Sequence, residues 1–376
     1  MDAFAWQAAG TKHVVYGSSD GHVHELTWRK GVIGSSWRHA DLTAETGAPI
    51  ATDHGGKPTR PYVRAFEWPE KQAKQVLYFS QVPSPAHGHE MHELWMTKGG
   101  SWKHASLTEL TGALAAWSPV TGYPWEAGHT KQYVYPGFGG HVLELYVGPG
   151  GVWKKADLTK ITGALLSNTA ITAYQWRAAG TKQVAYVREG HVHELYVAPS
   201  GTWKDADLTA LAGGPDAGSR VLVGFEWAAG ESKQVVYEAG YHVRELSIGK
   251  GGAWRDADLT ALTGAPDLDA SANFHAFAWE AGKAKQVVFE NDGDVHELYV
   301  TAGGSWKHAN LTKLTGSPPH GQTAVPHLKA FGFEAGAGKS VVYFDDFGNL
   351  HELSVRTGGK WAHTDLMEAT GAPQPF

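Results

Sequence analysis

The 376-residue sequence predicts an all-β fold, a seven-bladed β-propeller of four-stranded antiparallel blades, on three observations. A phrase of the type His-Val-His-Glu-Leu, first met at 22–26, returns in whole or in part six more times, in steps of 50 to 68 residues. Each unit holds four short runs rich in Val, Tyr, Phe and Trp, separated by Gly, Asp, Ser and Pro. Such runs read as strands and turns and leave almost no room for helices. The end units look like the middle ones, whereas a linear solenoid would need distinct capping repeats.

The elements of a unit follow in order. The first run ends in aromatic-X-Trp, as in Phe4-Ala5-Trp6 and Tyr174-Gln175-Trp176, with departures at Pro124-Trp125 and Phe331-Gly332-Phe333. The second run opens on a Lys in all seven units: Lys12, Lys74, Lys131, Lys182, Lys233, Lys285 and Lys339. The third carries a Glu, always followed by Leu: Glu25, Glu93, Glu144, Glu194, Glu245, Glu297 and Glu352. A Trp introduces the fourth, nine residues after the Glu at Trp102, Trp153, Trp203, Trp254, Trp306 and Trp361, and twelve after it at Trp37. Asp-Leu-Thr or a near variant comes next, followed by Gly, which predicts a helical turn capped by Asp or Thr and closed by the Gly. Asn310-Leu311-Thr312 matches a glycosylation acceptor but replaces the Asp of its sister units, so it reads as a variant cap.

The whole chain, 1–376, is expected to form one propeller with blades at about 1–47, 62–112, 122–163, 172–213, 223–264, 275–316 and 329–371. The chain begins on a first run and ends after a fourth, so the ring should close by side-chain packing with no strand exchanged. Extra residues at Thr52–Tyr62 and around Pro83–His89 account for the longest step and read as loops on one rim.

Composition limits the function. Forty-seven Gly and 16 Trp beside only 19% charged residues exclude disorder over most of the length. A net charge of −6 without charge blocks lacks the basic footprint of nucleic-acid binding. No Cys is present, which removes disulfides, thiolate zinc sites and a Cys nucleophile. The start shows no basic segment followed by an apolar one, and no apolar run is long enough to span a bilayer, so a soluble protein made in the cytoplasm is expected, with release by lysis or a non-classical route.

Candidate site residues are those that repeat. Pairing the second and third runs of the fourth unit so that Val184 faces Val192 sets Lys182 opposite Glu194 on one face of the hairpin. Seven such pairs are either structural ion pairs or parts of repeated polar pockets. The seven Trp are either anchors between blades or platforms for a sugar, which stacks its C–H face on an aromatic ring while its hydroxyls hydrogen-bond polar groups. His22 with His24, and His191 with His193, have a two-residue spacing suited to metal. The pair is intact in only those two units, so no metal site is expected, and neither a cofactor nor a catalytic residue is assigned. An enzyme needs one asymmetric cluster, and these groups are spread with the repeat. The competing non-catalytic reading is a propeller scaffold for protein–protein interaction.

Three phrases resemble one known family: Gly-His-Val-His-Glu-Leu-Tyr-Val at 190–197, Lys-Gln-Val-Val-Tyr at 233–237, and Trp-Arg-Asp-Ala-Asp-Leu-Thr-Ala-Leu-Thr-Gly-Ala-Pro at 254–266. Their order and spacing over the whole chain resemble the seven-bladed fucose-binding lectins first described from Photorhabdus. The resemblance implies a multivalent, non-catalytic lectin for L-fucose and related or O-methylated glycans, bound between blades, with cell-surface glycans as partners and self-association. A more distant likeness to six-bladed fungal fucose lectins sets Lys182 and Glu194 where those use a basic residue and a Glu. Lys for Arg loses a planar two-pronged donor. Pro124, Phe333, Leu143 and the loop before His89 mark the blades expected to bind least well.

Overall fold

A computed structural model describes residues 1–30, 35–81, 88–115, 120–167, 170–218, 221–269, 273–321 and 328–375. It is a β-propeller of seven four-stranded antiparallel sheets. In sequence order the strands of the blades run from Asp2 to Asp41, Val63 to Ser106, Thr121 to Asp157, Ile171 to Asp207, Leu222 to Asp258, Phe274 to Asn310 and Lys329 to Asp365. Each sheet uses consecutive strands only, so no strand is exchanged between the ends.

Blade 4 shows how the sequence sets the register. Its strands are Ile171–Trp176, Thr181–Arg188, His191–Val197 and Lys204–Asp207. Arg188 pairs with His191 across a two-residue turn, Glu189-Gly190, in which both residues have positive φ, 53° and 82°. That is the backbone of the tight hairpin turns whose twist matches the strands. Counting back from this turn, Lys182 pairs with Val197 and Glu194 with Ala185. The expected Lys182–Glu194 pairing is therefore corrected: the second strand runs two residues beyond Tyr186. The offset from the expected register is odd, which turns Glu194 onto the other face. Blade 1 behaves alike, with Lys12 opposite Trp28 and Glu25 opposite Val15.

After each fourth strand comes a five-residue helix. Asp41 accepts from the Ala44 N–H and Asn310 from the Lys313 N–H, so Asn310 is a cap variant, and the closing Gly47 and Gly316 adopt φ near 65°. The cap is the Asp or its equivalent; the Thr instead turns back to the sheet, as where Thr209 Oγ1 accepts from the Val192 N–H at 2.9 Å. The Thr52–Tyr62 insertion lies over the hairpin ends of blades 1 and 2, where Ala51 N–H donates to Gly21 O and Gln81 N–H to Thr52 O. Most of the second insertion, 82–87, lies outside the described residues.

The core is divided among the blade junctions. At one junction Tyr123, Val134, Ala173, Val184 and Leu195 pack together, and equivalent sets recur around the ring. Ring closure between blades 7 and 1 uses the same means: Val14 and Leu26 pack against Phe331 and Val342, and Tyr16 Oη donates to Pro373 O at 2.8 Å.

Candidate functional site at the blade junctions

Because Lys and Glu lie on opposite faces of each blade, every Lys meets the Glu of the preceding blade. Lys74 bonds Glu25, Lys131 bonds Glu93, Lys182 bonds Glu144, Lys285 bonds Glu245 and Lys339 bonds Glu297, at 2.5 to 2.7 Å. Lys233 bonds Glu194 in the same way. Lys12 bonds Glu352 at 2.5 Å and so closes the circle. All fourteen residues are buried. These are the Lys and Glu that the sequence singled out, joined across each junction and not within one hairpin as expected.

Each ammonium is also held between aromatic faces. Lys74 Nζ lies 5.3 Å from the Trp6 ring centre and 4.4 Å from that of Trp102. Lys131 lies between Trp68 and Trp153, Lys182 between Trp125 and Trp203, and Lys233 between Trp176 and Trp254. Lys285 is flanked by Trp227 and Trp306, and Lys339 by Trp279 and Trp361. One Trp of each sandwich ends the first strand of the preceding blade, and the other opens the fourth strand of the Lys blade itself. At the closing junction Phe333 replaces the first-strand Trp, and Lys12 lies over Trp28 and Trp37 instead. Such cation–aromatic contacts contribute about 0.5 to 2 kcal/mol each as the cation loses water. The first-strand Trp and Trp28 were not among the expected site residues; the aromatic-X-Trp run in the sequence was the signal for the former.

The electrostatics of the pairs differ with their further partners. Glu25 accepts from both Lys74 and His13, the latter at 2.8 Å. Burial opposes its charge, but His13 and Lys74 outweigh burial and hold the carboxyl near 2. Burial pushes Glu144, Glu245 and Glu297 up, offset only in part by one Lys each. Burial likewise pulls Lys131, Lys182 and Lys233 down. Glu93 and Glu194 gain a tyrosine hydroxyl each, from Tyr133 at 2.6 Å and Tyr174 at 3.0 Å.

Above the pairs, the junctions between blades 7 and 1 and between blades 2 and 3 open into grooves of small-ligand size. The groove between blades 7 and 1 has a volume of about 620 Å³, with Lys12 and Glu352 at its base, Trp28, Trp37 and Phe333 as aromatic walls, and Ser36, Ser354, Thr364 and Arg356 around them. The groove between blades 2 and 3, about 600 Å³, has Lys131 and Glu93 at its base and Trp68, Trp95 and Trp153 as walls. Its rim is apolar, with Leu110 61% and Val152 70% exposed. These grooves unite Lys, Glu and the fourth-strand Trp of the sequence reading across blades.

The histidines take other partners. His22 bonds Asp41 at 2.7 Å, while His24 bonds His39 at 3.0 Å. His92 with His104, His296 with His308, and His351 with His363 form the same kind of pair at 2.8 to 3.2 Å. Burial holds His24, His92 and His296 near 4, so these three rings are neutral at pH 7. Among the described residues no group of three or more His, Asp or Glu is placed to hold a metal ion. Among them, too, no helix is long and apolar enough to cross a membrane.

No protein-family model and no curated protein matches the chain. Solved structures do. The chain is similar to a periplasmic gluconolactonase of Pseudomonas aeruginosa, PpgL, with a TM-score of 0.59 and 12% identity over 94% of each chain. It is similar to the SapL1 lectin in complex with alpha methyl fucoside, with a TM-score of 0.53 and 16% identity over 82% of this chain and 94% of that one. AofleA from Arthrobotrys oligospora gives a TM-score of 0.53 and 13% identity over 80% of this chain and 84% of that one. At such identities the likeness shows the propeller fold.

Proposed function

We propose that the protein is a multivalent, non-catalytic carbohydrate-binding propeller whose sites are the grooves between blades, with L-fucose and related or O-methylated glycans as ligands. The observation that carries this reading is the groove itself: aromatic walls beside a fixed charged pair, open to solvent at two junctions with about 620 and 600 Å³ of space. A sugar ring would stack its C–H face on Trp37 or Trp153, and its hydroxyls would bond the groups around the Lys–Glu base. The phrases at 190–197, 233–237 and 254–266 that resemble the Photorhabdus lectins support the reading, as does a fold shared with a lectin solved with a fucoside.

In this reading the two grooves share one glycan class but prefer different members of it. Ser36, Ser354 and Thr364 suit a fully hydroxylated sugar at the 7/1 groove; Leu110 and Val152 suit a methylated one at the 2/3 groove. Linking several weak sites on one rigid ring raises avidity by about 10²- to 10⁴-fold on a surface that displays many copies of the glycan. The test is a glycan array with fucosylated and O-methylated sugars, with and without EDTA. EDTA-resistant binding to one glycan class, lost on Trp153→Ala or Trp37→Ala, is expected. Silence across the array overturns the proposal.

A further inference from the structure

The inner ends of the first strands surround the propeller axis and enclose a second kind of cavity, of about 340 Å³. Counted back from the Trp or Phe that ends each first strand, the third residue is always Ala or Gly and the second always Phe or Tyr. The fourth back breaks the repeat. Around the ring it is Asp2, Arg64, Thr121, Thr172, Val223, His275 and Lys329, and all seven line the axial cavity.

Packing alone does not demand such divergence, because the Ala or Gly beside it is kept in every blade. Charge in the ring is unevenly placed. Arg64 and Lys329 flank Asp2 from the neighbouring blades, Lys329 Nζ lying 3.8 Å from its carboxylate. Asp2 is already engaged by backbone donors, Ala3 N–H at 3.0 Å and Ala65 N–H at 2.8 Å. Arg64 donates through Nε to Val120 O at 2.7 Å, which fixes the guanidinium at the wall. His275 is hydrogen-bonded through its ring to the Ala330 backbone, yet its buried Nδ1 has no partner. Burial, with the Lys329 charge beside it, puts His275 near 3, so it is neutral at pH 7. Among the lining residues two cations therefore stand against one carboxylate, with the Met1 amino group beside them held near 4 by burial and so uncharged at pH 7, in a small cavity with low-dielectric walls that focus the excess positive charge.

We propose that the axial cavity is a single binding site for a small oxyanion, a carboxylate or phosphate group, held by Arg64 and Lys329 with the Thr172 hydroxyl, which accepts from the Gly224 N–H and keeps its own proton to donate, beside it. This site is distinct from the grooves between blades and does not depend on their function. Its ligand is small, because 340 Å³ lies near the lower limit for small-molecule pockets. Binding is linked to Lys329: burial and the Arg64 charge draw its ammonium down to about 8. An anion reverses that pull, so binding at pH 8 takes up part of a proton.

The test is calorimetric titration of the intact chain with inorganic phosphate and, separately, with malonate, at low and high salt. One site per chain is expected for at least one probe, weakened by salt, with proton uptake at pH 8 read from two buffers of different ionisation heat. The probe that binds identifies the phosphate or the carboxylate class. Arg64→Gln and Lys329→Met should each weaken it about 10- to 100-fold, the range for losing a charged hydrogen bond. Val223→Asp keeps every basic residue but adds a negative charge to the ring; it should abolish anion binding and leave glycan-array binding unchanged. No saturation by either probe up to about 10 mM, a limit near the weakest useful affinity, overturns the proposal. So does binding that survives Val223→Asp.

Discussion

The blade junctions and the axial ring are built from the same strands under opposite rules. At the junctions the residue types repeat: Lys, Glu and the fourth-strand Trp recur in every blade, and each Lys joins the next blade to the last. At the axis the lining runs Asp, Arg, Thr, Thr, Val, His and Lys in blade order. The difference teaches that repetition marks what holds blades together, and that loss of repetition marks where a single site is affordable. A residue needed to seat one blade on the next is needed at every junction, whereas a residue facing the axis meets the others only across a shared space.

The strongest way to break this comparison is to leave one junction charge unpaired. Glu144→Leu strands the Lys182 ammonium between Trp125 and Trp203 with no carboxylate. Removing one partner of a buried pair costs about 3 to 5 kcal/mol, whereas replacing both by apolar groups is often neutral. Urea unfolding should show that loss for the single variant and recovery of most of it for Glu144→Leu with Lys182→Met. Equal stability of wild type and single variant would mean that the pair does not hold the junction. Glu194→Gln should also destabilise, since Glu194 is the buried partner of Lys233 rather than a free pocket group.

Next in size is the effect of acid on the histidine pairs of blades 1, 2 and 6. Burial lowers His24, His92 and His296 from 6.5 to about 4 in the folded protein. The unfolded chain therefore binds more protons between those values. Their contribution is fully present above about pH 6.5 and is lost as pH falls toward 4. Each contributes about 1 to 3 kcal/mol by this linkage. Thermal melting from pH 7.5 to 4 should show a steep decline below pH 6.5, reduced in a His24→Gln, His39→Gln variant. A flat profile to pH 4.5 would remove the histidines from the account of stability.

Blade number, strand number and the Lys, Glu and Trp markers were legible in the sequence because they depend on local pattern and on repetition. The pairing of Lys with Glu was not. Hairpin register depends on where the turn falls, and the sequence gives two plausible ends to the second strand of blade 4, Tyr186 and Arg188. Only the positive φ at Glu189 decides for the second. The Phe331-Gly332-Phe333 departure was visible, but its compensation by Trp28, 5.6 Å from Phe333 and edge-on to it, depends on contact across the ring closure. The axial ring went unread for a different reason: a search for repeats passes over the position at which the repeat fails.

The finest test separates the base of a groove from its rim. Leu110 and its counterparts Ile161, Leu211, Leu262 and Leu314 are all more than half exposed, at one position of the short helix, where blades 1 and 7 have Glu45 and Ala369. Leu110 lines the groove between blades 2 and 3, as Ala369 lines that between 7 and 1. An exposed side chain contributes little to folding, so Leu110→Ala should shift stability by no more than about 0.5 kcal/mol. On a ligand that buries it, the same change removes about 1 to 2 kcal/mol of apolar contact, or roughly 5- to 30-fold in affinity. Isothermal titration with a methylated monosaccharide should show that loss at the 2/3 groove, and Ala369→Leu should strengthen the same sugar at the 7/1 groove. If Leu110→Ala lowers stability as Glu144→Leu does, the rim belongs to the blade-holding set and not to the ligand.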